Sequence, residues 1–146
     1  MQIIKRTEAI ERTKSFPGGE ELRRYYLPSQ NPLEIIETLI PSGVSQTPHA
    51  HKLVREAMLV LEGKVIVAEI VSGVRKEYEL NAGDFAVFNP GSCHMMSNQS
   101  NTSARTLTFK FLGVKKNSKL FATDKIEECT GLIKSTEGNL TQNKRI

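Results

Sequence analysis

The chain reads as an all-β domain, and three observations lead there. Its apolar and β-branched stretches are short and recur at close, even intervals. The breaks between them are turn sequences built from glycine, proline and asparagine, such as Pro41-Ser42-Gly43, Glu62-Gly63, Ser72-Gly73, Asn81-Ala82-Gly83-Asp84 and Asn89-Pro90-Gly91. Residues 105–112 alternate polar and apolar side chains, the pattern of a half-buried strand. Short strands of even spacing with turn residues between them indicate a sandwich or barrel rather than βαβ units.

In chain order, residues 1–14 fit a short helix or an edge strand equally, with Ile3, Ile4, Ala9 and Ile10 at mixed spacing. Ser15-Phe16-Pro17-Gly18-Gly19 is a turn by composition. Leu22 to Leu27 reads as a strand, closed by Pro28 and by Asn31-Pro32. Leu33 to Ile40 is β-branched and apolar enough for a strand that ends at Pro41. Further strands are expected at 57–61, 64–71, 74–80, 85–88, 94–98 and 105–112. From Gly113 onward lysines become frequent and large apolar groups sparse. A strand or short helix packing near 119–133 is expected there, with 137–146 as a frayed tail.

At 146 residues the chain is long enough to bury a core as one domain, and 38% hydrophobic with 25% charged residues fits a globular protein rather than a disordered one. The formal net charge of +4 is mildly basic, but the basic residues are scattered and no tryptophan offers a base-stacking platform. A nucleic-acid partner is therefore not expected. The N-terminal residues carry no apolar signal core, and the apolar run Ala57 to Leu61 is far too short to cross a membrane. Cys93 and Cys129 form neither a CxxC pair nor a disulfide framework. The expectation is a cytoplasmic protein with reduced thiols and no membrane partner.

The chemistry concentrates in two stretches that hold all three histidines. His49 and His51 stand two residues apart, so on a strand they share a face. Glu56 follows five residues later, and His94 lies downstream after Asn89-Pro90-Gly91. Imidazole nitrogens suit zinc, iron, copper and nickel, and a carboxylate oxygen adds tolerance for manganese. A donor set without thiolate, leaving room for oxygen ligands, is the pattern of a catalytic rather than a structural ion. Cys93, next to His94, points the other way on a straight strand and is read as a small packed hydrophobe.

With these spacings the chain resembles the cupin superfamily, which carries two motifs. The first is matched in every interval at Gly43, His49, His51, Glu56 and Gly63. The second is matched at Gly83, Gly91, His94 and Asn98, but its first proline position holds Asn89 and the proline is displaced to Pro90. Asn-Pro-Gly still builds a tight reversal. The resemblance implies a double-stranded β-helix, or jelly roll, at 33–112. A short N-terminal extension at 1–32 and a C-terminal extension and tail at 113–146 flank it. It also implies one divalent metal ion per chain (Fe, Mn, Zn or Ni) held by His49, His51, Glu56 and His94.

Members of that superfamily include dioxygenases, decarboxylases, sugar isomerases and epimerases, storage proteins and small-molecule sensors, so the resemblance names the metal site better than the reaction. The reading favoured here is a metal-dependent enzyme acting on a small oxygenated metabolite by dioxygenase-type chemistry. The alternatives are a sugar isomerase or epimerase, a decarboxylase, and a non-catalytic small-molecule-binding protein. Met58 shares strand parity with Glu56, and Met96 with His94, which makes both candidates for a substrate pocket. Arg105 is a third, with Tyr25 and Tyr26 behind it. A homodimer through edge strands is expected, with the N-terminal segment as the natural strand to exchange.

Overall fold

The structure, a computed structural model, describes residues 1–26, 33–112 and 126–129. Among these residues, a 3-10 turn at Arg6–Glu8 is followed by the strands β1 Ile10–Phe16, β2 Gly19–Tyr26, β3 Leu33–Ile40, β4 His49–His51, β5 Val54–Glu62, β6 Lys64–Val71, β7 Val74–Asn81, β8 Phe85–Phe88, β9 Cys93–Ser97, β10 Ala104–Leu112 and β11 Ile126–Glu128. They form two antiparallel sheets, one in the order β1-β2-β3-β10-β5-β8 and the other β11-β4-β9-β6-β7. Strands distant in sequence lie side by side, as β3 and β5 do on either side of β10. This is the expected jelly roll, which leaves few strand edges open.

Between the sheets lies a core of Ile40, Val44, Met58, Val60, Val65, Val67, Phe88, Met96 and Ala104. Burying each larger aliphatic side chain stabilises the fold by about 1.5–3 kcal/mol. A smaller cluster of Ala50, Ile70, Cys93 and Cys129 forms a second patch of core.

Several elements differ from the sequence expectation for local reasons. The strand expected at 57–61 begins earlier, at Val54, because β10 continues its pairing down to Val54 and buries that side chain. The strand expected at 94–98 stops at Ser97, because the buried Asn98 side chain is used to shape the turn that follows. Its Nδ2 donates to the Ile40 and Thr102 carbonyls at 2.9 and 2.8 Å, and its Oδ1 accepts from the Ser100 amide and hydroxyl at 3.0 and 2.6 Å. Residues 1–14 take both of the expected forms in turn, a 3-10 turn and then a strand.

The N-terminal segment extends the barrel rather than standing outside it. β1 and β2 are a hairpin, and β2 pairs with β3 of the same chain. The tip of that hairpin rests on the Gly43 turn. Gly18 has φ +87°, and a Cβ there would lie 1.9 Å from the Gly43 carbonyl oxygen. Only glycine allows this approach. The Ser45 amide donates to the Pro17 carbonyl at 2.9 Å beside it. The contact sets the inner face of β2 against the region of the histidines.

The expected packed element near 119–133 is represented by β11, which pairs with β4. Leu27, Asn31-Pro32, Leu120, Phe121, Leu132, Ile133 and the tail 137–146 lie outside the described residues. Among the described residues no helix is long and apolar enough to cross a membrane.

Candidate metal centre

The two sequence motifs meet because β4 and β9 are hydrogen-bonded neighbours, with His49 directly opposite His94. Alternation along β4 turns His49 and His51 to one face and Ala50 to the other, where Ala50 packs with Cys93 and Cys129. The departure from the second motif at Asn89 leaves its turn intact. The Ser92 amide donates to the Asn89 carbonyl at 3.0 Å, and Gly91 has φ +80°. Pro90-Gly91 is the central pair that a type II turn favours, so the displaced proline still makes the reversal. The Gly91 amide then donates to the His51 carbonyl at 2.7 Å, tying this turn to β4.

The three imidazoles stand with ring centroids 5.3, 4.7 and 5.9 Å apart. Each offers a nitrogen, and these nitrogens lie within 4.8 Å of one another. His49 Nδ1 is 2.9 Å from the Thr47 carbonyl, and His94 Nδ1 is 2.9 Å from the Ser92 carbonyl. A carbonyl oxygen only accepts, so in both neutral rings Nδ1 carries the proton and Nε2 keeps its lone pair. Outer hydrogen bonds of this kind orient histidine ligands at metal sites. Phe88 stacks on His94 at 4.1 Å between centroids, with 10° between the planes, and holds that ring still.

Glu56 reaches the cluster from β5. Its Oε2 is 3.2 Å from His51 Nε2 and 3.7 Å from His94 Nε2. Both Glu56 Oε2 and His94 Nε2 are buried without a hydrogen-bond partner. Two buried, unpartnered acceptors aimed at one point are costly unless something fills the space between them. The donor set and these atoms fit a divalent cation, and the His49–His51–His94 cluster is suited to hold one. Burial works against the charge of Glu56, yet the nearby Lys110 ammonium holds its carboxyl well below the usual range.

Burial, with His94 beside it, pushes the His49 imidazole down from 6.5 to about 4. It stays neutral, and so able to bind a metal, across the physiological range. The shift also predicts a pH dependence for the metal-free protein. Between the two values the unfolded chain binds a proton that the folded one refuses. The stability from this group is therefore complete above about pH 6.5 and falls as pH drops towards 4, by at most ~3 kcal/mol. Urea midpoints at pH 7 and pH 4.5 measure it, and equal values would show that His49 is solvated.

A cavity that opens outward adjoins the cluster. Met58 and Met96 both line it, at the same time as they fill the core. Arg105 does not join the lining. It lies on the outer face of β10, ion-paired with Glu62 and 3.4 Å from Glu37. Tyr26 also lies apart, its hydroxyl donating to Glu37 at 3.1 Å. Tyr25 is beneath the Arg12 guanidinium and outside the lining as well. Cys93 is buried among Ala50, Ile70 and Cys129, and burial with Cys129 alongside pushes its thiol up to about 12.

The cavity also holds polar residues that sequence reasoning missed: Arg23, Thr38, Gln46, Thr108 and Lys110. The sequence signal for the last two was the alternation of β10, which shows two faces. Here the polar one, Thr106, Thr108 and Lys110, faces inward, while Phe111 on the other is exposed. Glu21, fully buried, receives Arg23 at 2.8 and 3.1 Å and the Gln46 amide at 2.9 and 3.2 Å. Lys14 lies close by; burial, and then the charges of Arg23 and Lys110, lower its ammonium below the ordinary value.

A family profile described as "Cupin domain" matches residues 35–110. Among solved structures, a predicted oxalate decarboxylase from Thermotoga maritima superposes with a TM-score of 0.63 at 21% identity, over 76% of this chain and 99% of that one. A putative sugar phosphate isomerase from Acidithiobacillus ferrooxidans gives 0.58 at 21% identity, over 74% of this chain and 73% of that one. Oxalate oxidase gives 0.52 at 20% identity, and there the match spans 55% of this chain and only 42% of the other. Identities this low show a shared fold and no more. A search of curated proteins finds no match. With the profile covering more than half of its length and both histidine motifs joined in one jelly roll, the chain belongs to the cupin domain family.

Proposed function

We propose that the protein is a mononuclear metal-dependent enzyme that acts on a small oxygenated metabolite, with dioxygenase-type chemistry favoured. His49, His51, His94 and Glu56 are the proposed ligands of one divalent ion, with Fe, Mn, Zn and Ni all compatible with such donors. The observation that carries the reading is the convergence of buried, unpartnered Glu56 Oε2 and His94 Nε2 beside a cavity that opens outward. A bound divalent ion would supply Lewis acidity, or an open position for O₂ if it is iron. The chain supplies the rest. Thr47 and Ser92 carbonyls keep the histidine protons on the outer nitrogens. Met58, Met96, Ile36 and Phe88 make the apolar part of the wall and exclude water.

A second reading, Lewis-acid isomerisation or decarboxylation, is favoured by the polar residues in the same wall, Arg23, Thr38, Gln46, Thr108 and Lys110. Metal analysis followed by anaerobic loading with Fe(II) and exposure to O₂ with metabolite fractions separates the two. Oxygen uptake above the protein-free rate supports the first reading. No uptake at full iron occupancy leaves the second. The same sample is expected to sediment as a homodimer, and a mass of 16.3 kDa would remove that part of the reading.

A further inference from the structure

Among the described residues, Lys110 brings its ammonium within hydrogen-bonding range of the cluster. β10 and β5 pair so that Lys110 stands directly opposite Glu56, which fixes its position through the backbone ladder. Its Nζ lies 3.3 Å from His51 Nε2 and 3.9 Å from Glu56 Oε2, and its side chain is only 12% exposed. A buried ammonium is tolerated only with acceptors around it. Here two of those near it are atoms that a metal ion would claim. With an ion on His51 and Glu56, Lys110 faces a second positive charge. Glu34 stands opposite it on β3 but does not line the cavity, so on the cavity side Lys110 needs another acceptor.

The charges of the cavity wall indicate what that acceptor is. Arg23 also lines the cavity, but its charge is answered from behind by Glu21. Glu56 and Lys110 cancel formally. A divalent ion would therefore leave the site with about two uncompensated positive charges in a half-enclosed space, which strongly favours an anion. We propose that Lys110 is a substrate-binding residue. In this view the substrate is a small carboxylate with a second oxygen donor: its oxygens reach the metal while the carboxylate takes the Lys110 ammonium. The inference rests on the metal-centre reading above and narrows its substrate class.

Glycolate and its neutral counterpart glycolamide test it, because they share a skeleton and differ in charge. The protein is loaded with Mn(II), and binding of each is followed by calorimetry and by the Mn(II) electron paramagnetic resonance signal. Removing a charge-assisted contact in Lys110→Met is expected to weaken glycolate by about 10- to 100-fold. Glycolamide should change by less than about threefold, and Lys110→Arg should keep most of the glycolate affinity. Mn(II) itself should bind Lys110→Met at least as tightly as the parent, since a like charge has gone. Unchanged glycolate affinity in Lys110→Met, equal weakening of both ligands, or no binding of glycolate to the loaded parent would each overturn the inference while leaving the metal centre standing. A parent protein that retains no divalent metal under any loading would remove the metal reading, and this inference with it.

Discussion

His94→Ala, and separately His51→Ala, are expected to lose bound metal by about three orders of magnitude in affinity, or ~4 kcal/mol, while the barrel stays folded. Both rings are 4% exposed and sit in the cluster whose nitrogens lie within 4.8 Å of one another. Neither is part of the apolar core around Ile40, Val60 and Val65. The two effects therefore separate. Metal content after dialysis reports the ligand, and circular dichroism with a urea titration reports the fold. Wild-type metal content in either variant would show that its imidazole is not a ligand. Removing the outer support of a ligand is a smaller change, typically 10- to 100-fold, so the size of the loss also separates a ligand from a supporting residue.

The largest expected loss of stability is at Glu21. Its carboxylate is fully buried, and it receives Arg23 through two nitrogens and Gln46 through one. Glu21→Ala leaves the guanidinium of Arg23, itself only 12% exposed, without its counter-charge. Breaking one half of a buried pair costs about 3–5 kcal/mol. For a domain of this size that lowers the melting temperature by about 10 °C. Replacing Glu21 and Arg23 together by apolar residues is expected to cost less than Glu21→Ala alone, because no charge is left buried. A melting temperature of Glu21→Ala within two or three degrees of the parent, on a calorimetric scale of about 2–4 °C per kcal/mol, would show that Arg23 finds another acceptor or water.

How much of the site was legible follows from the range of the interactions that build it. His49 and His51 face one way because strand geometry is local, and the reversal at Pro90-Gly91 follows from two residues' own φ preferences. These features, and a sandwich or barrel of short strands, could be read from spacing, while the jelly roll was what the resemblance to cupins implied. Arg105 could not be placed in that way. Its partners Glu37 and Glu62 come from β3 and β5, and their closeness follows from β10 lying between those strands. The pocket role considered for it stands or falls with a side chain that the structure puts on the outer face.

The sequence by itself determined that strands alternate with tight turns and that three imidazoles and a carboxylate fall at intervals able to converge. Tertiary structure alone decided which face of each strand is the inside. Period-two alternation marks two faces, but it assigns the apolar one to the interior only when the interior is wholly apolar. Around this cavity it is not. Thr106, Thr108 and Lys110 of β10 and Glu21 and Arg23 of β2 turn inward, where they meet each other's charges and those of the cluster. That choice depends on how one sheet closes over the other, a sum of contacts between residues far apart in the chain, and no local pattern carries it.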